Sequence, residues 1–73
     1  MEVYYTRGVS ERRSLCIGAL TRDQAFEAGA VDDLGYFLYE RELVDGDEEI
    51  EILARVDTVE AAERIARLMI YSA

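Results

Sequence analysis

Apolar and polar positions alternate through two runs, Tyr36–Val44 and Asp47–Val56, on either side of an Asp45-Gly46 pair. Alternation at a period of two is the pattern of a strand with one buried face. Asp-Gly between two such runs predicts a hairpin, because glycine accepts the positive φ of a type I′ turn and aspartate tolerates it. With those two residues as the turn, Val44 faces Asp47. The pairing then puts Arg41 opposite Ile50, Tyr39 opposite Ile52 and Phe37 opposite Ala54 on the core face. The outer face pairs Glu42 with Glu49, Glu40 with Glu51, Leu38 with Leu53 and Tyr36 with Arg55. A loop longer or shorter by one residue would set Glu40 and Glu42 among the isoleucines. Burying a carboxylate costs more than exposed repulsion, so the first register is preferred.

The flanking chain repeats the same kind of unit. Residues 2–7, EVYYTR, are rich in β-formers and predict a first strand. A polar connection, Gly8–Arg13, leads to a second apolar run, residues 14–20, SLCIGAL. Gly18 inside that run predicts a bulge or a close backbone approach, such as a helix lying against it. Thr21 with Gln24 has the spacing of a capping box, and Leu20 with Ala25 that of a hydrophobic staple. They open a helix running to about Ala30 with an apolar face of Ala25, Phe26, Gly29 and Ala30. Gly29 or the segment Asp32-Asp33-Leu34-Gly35 stops it. After the hairpin, Asp57 with Glu60 predicts a second capping box. Val59, Ala62, Ile65, Ala66 and Met69 then recur at helical spacing, with Ala61 and Leu68 widening the stripe. Glu60–Arg64 and Glu63–Arg67 are i,i+4 pairs in the favourable order.

The predicted fold is therefore α+β: one domain over residues 1–73, ordered ββαββα, a four-stranded mostly antiparallel sheet with both helices on one face. The other sheet face is left open. Tyr5-Thr6-Arg7 and Tyr39-Glu40-Arg41 hold similar places in the two halves and hint at a duplication. Tyr4, Tyr5 and Tyr71 are expected in or beside the core.

Composition narrows the function. The chain of 73 residues is 51% hydrophobic, enough to fold yet short enough to leave a thin core. It has no run of apolar residues long enough for a membrane span and no basic-then-apolar leader. A lone cysteine, Cys16, makes no internal disulfide, so a cytoplasmic setting is expected. Lys, His, Pro, Trp and Asn are absent. Without His there is no Ser-His or Cys-His pair, and without Lys no P-loop or Schiff base. Cys16 lies in an apolar strand and is expected to be buried and inert. Asp45-Gly46-Asp47 resembles a fragment of a calcium loop, but the rest of the ligand pattern is missing. No cofactor and no metal are expected.

The net charge of −8 is unevenly placed. Residues 1–31 carry four acids against four arginines, whereas residues 32–73 carry twelve against four. Glu40, Glu42, Glu49 and Glu51 oppose one another on the hairpin, where like charges weaken a sheet. On an open face they have neither the cleft nor the divided pKa values that acid–base chemistry needs. They are the candidate docking face for a partner with a basic surface, and direct binding of nucleic acid is not expected. Tyr36, Leu38 and Leu53 on the same outer face are the candidate self-association patch, an apolar centre rimmed by charge. A small, acidic, catalytically bare chain resembles, in general character, inhibitors that occupy nucleic-acid-binding surfaces, such as phage-encoded anti-defence proteins. The expectation is a non-enzymatic acidic protein-interaction module of that kind. The alternative is a structural or regulatory homodimer whose acidity only keeps it soluble, and a third reading is a ligand-binding accessory subunit.

Overall fold

In the computed structural model, which describes residues 3–71, Asp45 and Gly46 both take positive φ, 53° and 85°. This is the I′ geometry that the Asp-Gly pair predicts. It joins β3 (Tyr36–Val44) to β4 (Asp47–Val56). The predicted register holds from Val44–Asp47 up to Tyr39–Ile52. The remaining elements are β1 (Val3–Gly8), β2 (Arg13–Gly18), α1 (Arg22–Glu27) and α2 (Val59–Tyr71). The strands form one antiparallel sheet in the order β1-β2-β3-β4. The α+β class and the ββαββα order are as expected. Glu2 and the side chains of Tyr4 and Tyr71 lie outside the described part of the chain.

Beyond Ile52 the register departs from expectation. Leu38 pairs with Ala54, Phe37 with Arg55 and Tyr36 with Val56, so Leu53 is one extra residue in β4. A bulge of this kind reverses the facing of every later residue in its strand. Arg55 therefore moves to the side of Phe37, and Val56 to the side of Tyr36 and Leu38. A second irregularity lies in β1, where Val3 pairs with Gly18 but Tyr5 with Ile17. The irregularity lies in β1, opposite Gly18, and not in the strand that carries the glycine, where the bulge is expected.

The two helices lie on opposite faces of the sheet, not on one. Cys16, Phe37 and Tyr39 point to one side and pack with Leu20 and with Ala25 of α1. Their chain neighbours Ile17, Leu38 and Tyr36 point to the other side and pack, with Val56, against Ala62, Ala66 and Met69 of α2. The hairpin's alternation predicts one buried and one open face. Both apolar sets are in fact covered, because Tyr36, Leu38 and Val56 form a second apolar row that α2 fills. Tyr5 faces α2, whereas Tyr39 belongs to the α1 side. The two triplets that hint at a duplication therefore face opposite ways.

Local signals explain the ends of the helices. The Thr21–Gln24 capping box is present in full. Gly29, at φ 93°, turns the chain out of α1, with Gly29 N–H donating to Phe26 O at 3.0 Å and Ala30 N–H to Ala25 O at 2.9 Å. That is the Schellman arrangement, and a left-handed residue suits glycine best. The helix is a turn shorter than expected, and Phe26 is exposed beneath the Arg22 guanidinium. In α2 the cap is Thr58 rather than Asp57: Ala61 N–H donates to Thr58 Oγ1 at 3.1 Å. Ala62, Ala66 and Met69 are buried, Val59, Ala61 and Ile65 half-buried, and Leu68 exposed. Two of the three buried positions, Ala62 and Ala66, are small, which lets the helix approach the sheet closely. Neither Glu60–Arg64 nor Glu63–Arg67 closes to ion-pair distance among the described residues.

Arg55 fastens the long α1–β3 connection. Its guanidinium sits 4.9 Å over the Phe37 ring. It donates to Asp32 Oδ1, to Leu34 O at 2.8 Å and to Asp32 O at 3.3 Å. The hydrogen bond from Arg55, backed by the Leu34 N–H, holds the Asp32 carboxyl below the usual carboxylate range.

Two outcomes test this account. Thr58→Ala should lower stability by about 1 kcal/mol in urea denaturation, through loss of the helix cap, while Asp57→Ala should be nearly neutral. The second concerns Tyr39, which is fully buried. Burial, helped by the Cys16 thiol, pushes its hydroxyl from 10.0 up to about 12. In the unfolded chain the proton leaves near 10, so between about 10 and about 12 the folded state holds more protons. Stability should fall as pH rises through that window, and Tyr39→Phe should flatten the fall in alkaline denaturation curves.

Candidate interaction surface

Glu40 and Glu42 alternate with Tyr39 and Arg41 along β3, so they share the face of Tyr36 and Leu38. Glu51 and Glu49 stand directly opposite them on β4. The structure thus brings all four carboxylates together, as the hairpin register predicts. It places them on the α2 side of the sheet rather than on an uncovered face. They remain accessible because of the path of α2. The helix starts just after β4, and its last turns reach β1, where Arg7 Nη1 donates to Met69 O at 3.3 Å. It covers the sheet beside Tyr5, Ile17 and Leu38 and leaves the turn end of the hairpin open.

A fifth residue belongs to the surface, and sequence reasoning missed it. Arg13 at the start of β2 pairs with Glu42. Its Nη2 donates to Glu42 Oε2 at 3.0 Å, and its Nη1 lies 3.6 Å from Glu40 Oε2. The Glu42 hydrogen bond, with the charges of Glu42, Glu40 and Glu51, raises the Arg13 pKa above its ordinary value. The only available signal was the Arg12-Arg13 pair preceding SLCIGAL. The loop before it fixes no register, so the partner strand could not be read from it. Arg13, the four glutamates and Ile50 line a hollow of about 100 Å³.

The four acids are therefore not equivalent. Glu40 and Glu42 are half-buried and engaged by Arg13, while Glu49 and Glu51 are exposed on the edge strand. Asp45, Asp47 and Glu48 extend the negative stretch around the turn. Across that stretch the described ion pairs supply one cation, Arg41, whose Nε lies 3.7 Å from Glu48 Oε2 on the α1 side.

The Tyr36, Leu38 and Leu53 patch is not formed. Tyr36 and Leu38 are half-buried against the α2 cluster, and Leu53 is exposed at the bulge, out of register with both. The expectation rested on an open sheet face, and α2 occupies that face. Cys16 is buried, with its sulfur 3.1 Å from Thr6 Oγ1. Among the described residues no group of three His, Cys, Asp or Glu side chains is placed to hold a metal ion. Nor is any described helix long and apolar enough to cross a membrane. No protein-family model, curated protein or solved structure matches the chain.

The division of the acids has a measurable consequence. Glu40→Gln with Glu42→Gln removes the partners of Arg13 and should lower stability slightly. Glu49→Gln with Glu51→Gln removes repulsion alone and should leave stability unchanged or slightly raised. Urea denaturation of the two double variants at low salt distinguishes these outcomes.

Proposed function

We propose that the chain is a non-enzymatic acidic interaction module whose hairpin end docks on a basic, nucleic-acid-binding surface of a protein partner, as phage anti-defence inhibitors do. One observation carries the reading. Five carboxylates, Asp45, Asp47, Glu48, Glu49 and Glu51, fall within seven residues of an exposed turn and edge strand. Such a concentration repels itself in the free protein and is relieved by a complementary positive surface. Glu40 and Glu42, held by Arg13, form the ordered margin of the same face. The absence of His and Lys removes imidazole and amine chemistry from consideration. A homodimer through Tyr36, Leu38 and Leu53 is not part of this proposal, since two of the three lie under α2.

The test begins with capture from cell lysate at low and high salt, followed by mass-spectrometric identification. Association of the captured protein should then slow for Glu49→Gln with Glu51→Gln, and its dependence on ionic strength should flatten. Nucleic acid should compete with the chain for that partner. An association rate untouched by the double substitution would make the acidic face a solvated surface and remove this function.

A further inference from the structure

We propose that the open edge of β4 takes up an extended, basic segment of the partner as an added strand, seated in the groove between β4 and α1. This rests on the reading of a basic protein partner and specifies the form in which that partner is held. Three features converge there.

The first is the backbone. β4 is the last strand of the sheet, and no described strand pairs with its outer side. Val44 and Asp47 flank the two-residue turn as a hydrogen-bonded pair, and bonded and non-bonded pairs alternate from there. Glu49 and Glu51 thus turn their N–H and C=O groups to β3. Those of Glu48, Ile50 and Ile52 point away from it and are free to accept another strand. The Leu53 bulge ends this run, because a bulge interrupts the ladder.

The second is the groove. The side chains of Glu48, Ile50 and Ile52 face α1, which does not close against them. A cleft of about 430 Å³ remains, lined by Gln24, Glu27, Ala28, Glu48, Glu49 and Ile50. It continues past Ala28 to a second hollow of about 270 Å³ beside Phe37 and Ile52. Gln24 Nε2 spans the near end, 3.4 Å from Glu48 Oε1. The groove is acidic toward the turn, and toward the bulge it is lined by Phe37, Ile52 and the Arg55 guanidinium stacked on Phe37.

The third is charge. Asp47, Glu48, Glu49 and Glu51 give the edge four acids in five residues with no base between them. Charges of one sign on an edge deter pairing with a second copy of the same edge. Antiparallel pairing of two copies about Ile50 would set Glu49 against Glu51 twice over. A segment alternating basic and apolar residues turns the same charges into attraction and uses the free main-chain groups.

The probe is a fluorescent alternating Arg-Val octapeptide, compared with the same peptide N-methylated at two adjacent central residues. The methylated form keeps the charge and side chains but blocks both of its hydrogen-bonding edges. Anisotropy titration should show the methylated peptide binding about tenfold more weakly, roughly the loss of a net main-chain hydrogen bond or two. Bound unmodified peptide should slow hydrogen exchange at the Glu48, Ile50 and Ile52 amides. Glu27→Gln with Glu48→Gln should weaken binding more than Glu40→Gln with Glu51→Gln. No binding, equal binding of the two peptides, or a loss that follows Glu40 and Glu51 instead would overturn strand addition. So would light scattering that shows the edge occupied by a second copy. Those results leave docking on a folded basic surface intact, since that reading stands or falls on the association rate of the captured partner.

Discussion

One extra residue at Leu53 sets the arrangement of the whole molecule. Before it, β4 follows the parity dictated by the Asp45-Gly46 turn, and Ile50 and Ile52 face α1. After it, the parity reverses. Arg55 then stands over Phe37 and holds the α1–β3 connection, and Val56 drops into the α2 cluster. Without the bulge, Val56 would face α1 and Arg55 would point into the apolar row that α2 covers. Burying that guanidinium without a partner would be costly. The bulge lets a single strand serve two cores.

Two cores in so short a chain require close packing on both sides. Each is small. The α1 side holds Cys16, Leu20, Ala25, Phe37 and Tyr39, and the α2 side Ile17, Val56, Ala62, Ala66 and Met69. Alanines at the helix–sheet contacts bring the helices near enough for the sheet side chains to fill the space. The sheet is buried on both faces at its middle, and the buried apolar residues do not extend to the turn end of the hairpin. That end stays exposed because no buried side chain of either helix packs against it, and there the chain places its densest negative charge.

Arg13 gives the acidic surface its internal order. By engaging Glu40 and Glu42 it turns what would be four mutually repelling carboxylates into a bridged pair and an exposed pair. Most of the remaining negative charge lies on β4 and the turn, along an edge of the sheet with a groove beside it. The acidic charge and the main-chain groups that face away from β3 thus meet on the same strand.

Much of this is local and was therefore legible in the sequence. The Asp45-Gly46 turn fixed the register from Val44–Asp47 to Tyr39–Ile52, and so the grouping of Glu40, Glu42, Glu49 and Glu51. Thr21 with Gln24 marked the start of α1, and the spacing of Ala62, Ala66 and Met69 marked the buried side of α2. What sequence could not supply depended on groups far apart in the chain. The bulge at Leu53 answers the needs of two separate clusters, and no neighbouring residue announces it. The cap is Thr58 rather than Asp57 because α2 begins at Val59, one residue later than an Asp57 cap would start it. The Arg13 bridge needed the β2–β3 register, which the long α1 connection leaves open. The helices took opposite faces because alternation along a strand shows two kinds of side chain but not what will cover each. Only the tertiary structure, by bringing α2 over Tyr36 and Leu38, decided that this row is half-buried against a second core instead of open.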